Sequence, residues 1–437
     1  GGAIIICSFE SEVFDMEKTK KSLFGPMDLT KGTCWKTILI FSLPVILSYL
    51  LQQVYSISDA AIVGQTLTAQ EVAGVNDTTS LVFIFLQFAF GVSAGFCVVT
   101  SCQVGARNQA GVRRSLATQI VLSAVLTVLL TALALALLNP MLAWINVTPD
   151  NAEVYQAAYT YCFIIFAGIG AQLFYNFICA FLRSMGDSLT PLLFLLFSTV
   201  LNVGLDLLFI MVFRWGVAGA AIATIIAQAV SGALCLLQLC RMKDTFQLSF
   251  KSLWPRAQYV KQLIRLGLPS GLTQAIFSFA MIIVQSLTNS FGTAVIAANT
   301  VVMRVDGFAM MPNFTFGTAM TTYTGQNIGA GKLDRCVKGT RKGLLLALSV
   351  SVALVLLILL FGRYLMQMFT QTQEVISIGM QMLQTLAVGY VAMSVTQVLS
   401  GVMRGAGDTM TPMWISIITT VIVRVPVAYG LEFLTRP

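Results

Sequence analysis

Long apolar blocks separated by short polar connections run along nearly the whole chain. Most hold about 20 residues or more, the length a helix needs to cross roughly 30 Å of hydrocarbon. The pattern predicts eleven spans, near 36–58, 76–101, 116–138, 154–180, 189–213, 217–240, 262–288, 293–323, 340–362, 374–402 and 410–433. Apolar segments continue long after the first, so no cleavable signal peptide is evident. Composition agrees: 57% of the 437 residues are apolar and 10% are charged, where a soluble domain has about a quarter charged. The expected fold is an all-α polytopic membrane protein.

An internal repeat organises these spans. The FSLP of 41–44 returns as LGLP at 266–269, GARNQAG of 105–111 returns as GQNIGAG at 325–331, and RSMGDSLTP of 183–191 returns as RGAGDTMTP at 404–412. The offsets are 225, 220 and 221, and each pair lies on the same expected side of the membrane. This predicts two parallel six-helix bundles related by a pseudo-two-fold axis along the membrane normal. The expected domains are an N-terminal cytoplasmic segment, 1–30, disordered or non-native; an N-lobe, 31–240; a cytoplasmic linker, 241–261; and a C-lobe, 262–437. Only 11 of 12 expected spans are present, because the copy of 217–240 would begin near position 438. The natural protein is therefore expected to continue past Pro437, and Met16 is a plausible natural start.

The net charge of +8 is spread over connections rather than gathered in a basic arm, which excludes nucleic acid as the partner. With the N-terminus in the cytoplasm, the inside connections hold Lys18 to Lys36, Arg107, Arg113, Arg114, Arg183, Arg241 to Arg265, Lys332 to Lys342 and Arg404. The outside ones hold only Arg214, Arg363 and Arg436, a positive-inside asymmetry. The nine cysteines are dispersed; Cys97/Cys102 and Cys235/Cys240 have neither a zinc nor a redox spacing. They read as small packing residues. The chain has no histidine, so proton or cation chemistry falls to carboxylates.

A charge inside a membrane costs at least a few kcal/mol, so each intramembrane polar group needs a reason. In the first span Gln52, Ser56 and Asp59 lie at i, i+4 and i+7 on one helix face. The fifth span repeats this with Ser198, Asn202 and Asp206. Gln172 and Asn176 in the fourth and Thr224 and Gln228 in the sixth are each i, i+4 pairs. A shared interior site in the N-lobe explains all four. Carboxylate, amide and hydroxyl oxygens are hard donors suited to Na⁺, and desolvated carboxylates can carry H⁺ instead. The repeat supplies a control: Asp59, Asn202 and Asp206 map to Val284, Val423 and Val427. The competing reading is that Asp59 sits near the outer helix end and is solvated there. In the C-lobe, Arg304 and Asp306 lie two apart and do not share a helix face, so Asp306 is expected to pair with Arg424 or to line the cavity alone. Met303, Met310 and Met311 are candidates for an adaptable binding surface. Thr190 and Thr411 are expected helix caps, each followed by proline, and Pro44 and Pro269 are expected to kink their helices.

Two parallel lobes, an early Leu-Pro in each and an Arg-x-x-Gly-Asp-x-x-x-Pro turn after each fourth span resemble the multidrug and toxic compound extrusion (MATE) family. The likeness covers about residues 30–437 and extends to Ser58–Gly64, Gly216–Thr224 and Gln326–Gly331. Arg304-Val-Asp306 looks like the bacterial branch related to DNA-damage-inducible-type members. The resemblance implies a V-shaped molecule with alternating access and drug:cation antiport. It implies that Asp59, Asn202, Asp206 and Thr224 form the cation site, with Na⁺ or H⁺ as coupling ion and no cofactor. Gln52, Gln172, Asn176, Gln228, Met303, Arg304 and Asp306 are candidate cavity residues. The expectation is a monomer in a bacterial plasma membrane, meeting lipids and small-molecule substrates. The rival reading is a flippase for a lipid-linked sugar, which would need a basic cavity. No nucleophile or metal constellation suggests an enzyme.

Overall fold

The computed structural model describes residues 26–241 and 256–435. The linker from 242 to 255, the basic residues before position 26 and Arg436 lie outside the described residues.

The helices are α1 (Cys34–Thr66), α2 (Ala69–Gly105), α3 (Gln109–Ala136), α4 (Leu138–Trp144), α5 (Ala152–Ala167), α6 (Ile169–Ser184), α7 (Leu189–Asp206), α8 (Gly216–Arg241), α9 (Ala257–Thr288), α10 (Thr293–Gly329), α11 (Leu333–Gln367), α12 (Gln373–Gly405), α13 (Met410–Ser416) and α14 (Val425–Thr435). Among the described residues ten helices are long and apolar enough to cross a membrane, counting α7 with its π-helical continuation and α13 with its own and α14; the bent pair α5–α6 makes an eleventh. This matches the eleven spans expected. The expected fourth span is broken at Gly168 with a 46° bend. α9 begins at Ala257, so part of the expected linker is helical. α1 runs on to Thr66, well past the expected end at 58, which places Asp59 inside the helix rather than at its rim.

Packing repeats with the sequence. α1 lies on α7 and α2 on α5 and α6; in the second half α9 lies on α13 and α10 on α12. The lobes meet by exchange, since α9 packs on α2 and α1 packs on α10. At the α2–α9 seam a Cβ on Gly91 would lie 2.5 Å from the Ser270 carbonyl oxygen, and one on Gly95 would lie 2.5 Å from that of Leu266. Only glycine permits so close a backbone approach. Trp144 stacks on Phe279 at 5.7 Å and extends this side of the interface.

The basic residues gather at one end of the bundle, at the start of α1 and the α2–α3, α6–α7 and α10–α11 turns. There the lobes are pressed backbone to backbone: a Cβ on Gly105 would collide with the Gln326 carbonyl, and one on Gly329 with that of Cys102.

Residues 26–30, expected within a disordered segment, are instead seated at this end. Leu29 is fully buried among Ile38, Phe41, Phe316 and Tyr323. The helix caps also differ from expectation. Asp187 accepts hydrogen bonds from Thr190 N (3.0 Å) and Oγ1 (2.6 Å), and Asp408 does the same for Thr411 at 3.0 and 2.6 Å. The carboxylate caps, and the threonine donates to it.

Candidate functional site

Asp59 on α1 and Asp206 at the end of α7 are electrostatic neighbours in the N-lobe. Ser198, Asn202 and Asp206 are wholly buried, as their i, i+4, i+8 spacing predicts. Ser198 Oγ donates to Ala227 O of α8 at 3.1 Å, tying the two helices beside the site. Immediately after Asp206 the chain turns π-helical over Leu207–Val212, a local widening that often accompanies functional positions. α8 contributes Thr224, whose hydroxyl lies 3.5 Å from that of Tyr55, and Gln228, which also neighbours Tyr55. α5 contributes Tyr161, an electrostatic neighbour of both acids.

The structure thus brings together Asp59, Asn202, Asp206, Thr224 and Gln228, and adds Tyr55 and Tyr161. Tyr55 lies one turn before Asp59, a spacing that could have found it; no sequence signal marked Tyr161. Gln172 and Asn176 are half-buried on α6, and among the described residues neither joins the hydrogen-bond network around the acids. The fourth span meets the site through α5 instead. Gln52 and Ser56 are exposed. On the helical wheel they fall between Tyr55, which faces the N-lobe, and Gln53, which meets Gly307 of α10. The exposed apolar residues Leu50, Val54 and Ile57 occupy the opposite arc. Gln52 is about 20° from Asp59 on the wheel but two turns before it, and it faces the space between the lobes.

Asp59 Oδ1, both Asp206 carboxyl oxygens, both Asn202 amide atoms and Gln228 Oε1 are buried without a hydrogen-bond partner. So many orphaned groups in an apolar interior are costly. Two ionised carboxylates are acceptors only and repel each other, by on the order of 4 kcal/mol for unit charges in contact near a protein surface. A proton shared between them, or a monovalent cation held by the converging oxygens, relieves both costs. The donor set fits either.

The C-lobe groups do not converge in this way. Asp306 on α10 faces the Tyr390 hydroxyl and senses Arg424 without closing an ion pair, and Arg424 Nη2 lies 3.4 Å from Met281 Sδ. Arg304 sits over the Phe369 ring at 5.4 Å, turned from Asp306. Met303 is exposed, whereas Met310 and Met311 pack in the C-lobe. Those two do not form the adaptable surface expected of them.

The MatE family profile matches residues 44–208 and 269–430, one stretch in each half. The chain belongs to the MATE family. Its MATE relatives include the probable multidrug resistance protein YpnP of Bacillus subtilis (strain 168), 30% identical over 400 residues covering 91% of this chain and 88% of the relative. The probable multidrug resistance protein NorM of Thermotoga maritima is 28% identical over 402 residues, covering 90% and 85%. Among solved structures, a MOP superfamily transporter from Pyrococcus furiosus matches with TM-score 0.86 at 25% identity, covering 96% of this chain and 92% of that one. One described as the outward-facing conformation of a multidrug resistance MATE family transporter matches with TM-score 0.85 at 25% identity, covering 94% and 91%. This MATE chain is therefore a multi-span membrane transporter with the two-lobe architecture.

Proposed function

We propose that this protein exports small amphipathic or cationic compounds by alternating access, in exchange for Na⁺ or H⁺ taken up at Asp59 and Asp206. The observation that carries the reading is the facing acid pair with orphaned oxygens in one lobe, where the repeat puts valines in the other. Asp59 and Asp206 hold the cation, Asn202 and Thr224 complete its oxygen shell, and Tyr55 and Tyr161 line the site. With the basic end in the cytoplasm, the closed arrangement is the outward-facing state. Cation binding then favours its return, and it does so only by its differential affinity for the two states. Arg304 lies over Phe369 and Arg424 against Met281, contacts that favour this reading over a flippase built on a basic cavity.

The test is efflux of a fluorescent organic cation from proteoliposomes under separately imposed Na⁺ and pH gradients. One gradient should drive transport in the parent protein, and Asp59→Asn or Asp206→Asn should reduce it to background with folding retained. Normal gradient-driven efflux in both variants overturns the assignment.

A further inference from the structure

The segment before α1 is bonded to both lobes at the basic end. Met27 N donates to Gly186 O in the α6–α7 turn of the N-lobe at 3.1 Å. Leu29 N donates to Gln326 Oε1 of α10 at 3.2 Å, and Gln326 Nε2 donates to Ser184 O of α6 at 2.9 Å. One C-lobe amide therefore holds the segment with its oxygen and the N-lobe with its nitrogen. Asn327 Nδ2 donates to Leu29 O at 3.2 Å, and Lys332 Nζ to Thr30 O at 3.0 Å. Arg335 donates to Gly32 O (2.6 Å), Lys31 O (3.1 Å) and Leu29 O (3.3 Å), and its Nε donates to Asn327 Oδ1 (3.0 Å).

The segment is shaped for this place. Asp28 accepts from Thr30 N and Oγ1 at 2.9 and 2.6 Å, fixing a turn that presents the carbonyls. Leu29 is fully buried in the apolar cluster of α1 and α10. Gly186 has φ +91°, and a Cβ there would collide with the Met27 carbonyl, so the N-lobe turn admits the segment only because it lacks a side chain. Directly beside it lie the closest backbone contacts between the lobes, Gly105 on Gln326 and Gly329 on Cys102. Opening the basic end must part these, and Gln326 cannot leave α6 without giving up its bond to Ser184 or the segment.

We propose that residues 27–32 are a strap that locks the basic end shut, with Gln326 as its junction and Arg335 as its clamp, and that the strap must release before that end opens. The inference rests on the alternating-access reading for its purpose, but the lock is a property of the structure at rest and is measured without substrate or gradient.

The experiment is hydrogen exchange on the purified full chain, comparing the parent with Arg335→Ala. Losing the Arg335 bonds to three strap carbonyls should speed exchange in peptides covering 101–106 and 322–330 by about tenfold or more, since the loss of even one charge-assisted hydrogen bond allows that much. Faster exchange confined to 27–32, with 101–106 and 322–330 as protected as in the parent, overturns the proposal. If Arg335→Ala loosens the whole C-lobe core, Lys332→Ala, which removes one strap bond, decides by the same criterion. Opening of the basic end without cation-driven transport would leave the strap standing and defeat the coupling mechanism; the reverse would do the opposite.

Discussion

The two lobes share helix order, turn motifs and packing pairs, yet only the N-lobe presents facing carboxylates in its interior. Where α1 and α7 carry Asp59, Asn202 and Asp206, α9 and the last span carry Val284, Val423 and Val427. A scaffold that needed buried acids for bracing would need them twice. The seams between the lobes differ as well. Gly91, Gly95, Gly267 and Gly271 let α2 and α9 touch backbone to backbone, while Met311, Thr315, Ser42 and Ile46 hold the corresponding places between α10 and α1. Duplication thus supplied the frame, and divergence gave one lobe ion chemistry and one seam a closer fit.

The strongest way to break this comparison is to make the lobes alike. Converting Asp59 and Asp206 to the valines of the other lobe should lower gradient-driven efflux by about 100-fold or more, a loss of roughly 2.7 kcal/mol of driving interaction. The same change should leave the thermal midpoint unchanged or raised, since replacing poorly compensated buried charge with apolar side chains is often stabilising by about 1–4 kcal/mol. Lost transport together with a collapsed fold would mean that the acids brace the lobe. The reverse graft, Val427→Asp, should destabilise by roughly 2.5–3.5 kcal/mol if that position meets the bilayer centre, and should confer no coupling.

A smaller effect tests the seams. A Cβ on Gly95 would lie 2.5 Å from Leu266 O, which is backbone and cannot swing aside. Gly95→Val should therefore cost about 3 kcal/mol, at the upper end for overpacking. Thr315→Val, at the corresponding place on α10, removes only a hydroxyl that bonds Met311 O within its own helix at 2.8 Å, and should cost about 1 kcal/mol or less. Thermal unfolding in one detergent compares them, and equal costs would show the seams to be equivalent.

How much of this was legible in the sequence follows from what a polar residue means in an apolar block. Asp59, Asn202, Asp206 and Thr224 stood out because each is expensive in hydrocarbon, and the structure gathers them. Tyr55 and Tyr161 did not, since an aromatic side chain packs as readily as it coordinates. Gln52 shares Asp59's stripe by spacing, but it lies two turns before the acid and is exposed to the space between the lobes, an offset along the helix that the stripe does not register. The break at Gly168 lies in an unbroken apolar run and left no mark on hydropathy. The strap was invisible for the opposite reason: residues 27–32 are mostly polar and precede the first span, and their partners lie about 300 residues away.

The smallest expected effect separates the twin turns. Asp187 is 4% exposed and Asp408 is exposed, although both accept the same two threonine hydrogen bonds. Asp187→Ala strands a partly buried N–H and hydroxyl of Thr190 and should cost about 1–2 kcal/mol; Asp408→Ala leaves exposed groups that water reaches and should cost about 0.5 kcal/mol. The exposed turn also has a pH signature. Burial is the largest single influence on the Asp408 carboxyl and raises it, but hydrogen bonds from the Thr411 hydroxyl and from the Thr411 and Met410 N–H groups, with Arg265 nearby, together outweigh it and hold the carboxyl below the usual range. A depressed value means that the stabilisation is fully present above the unfolded value, about 4, and is lost as pH falls through the folded one. Exchange at the Met410 and Thr411 amides should therefore, once corrected for its intrinsic pH dependence, lose protection only below about pH 4. Asp408→Ala should show the unprotected level at every pH. Protection at Thr411 that ignores both acid and the substitution would mean that the helix start is held by packing alone, and the two turns would then differ in more than exposure.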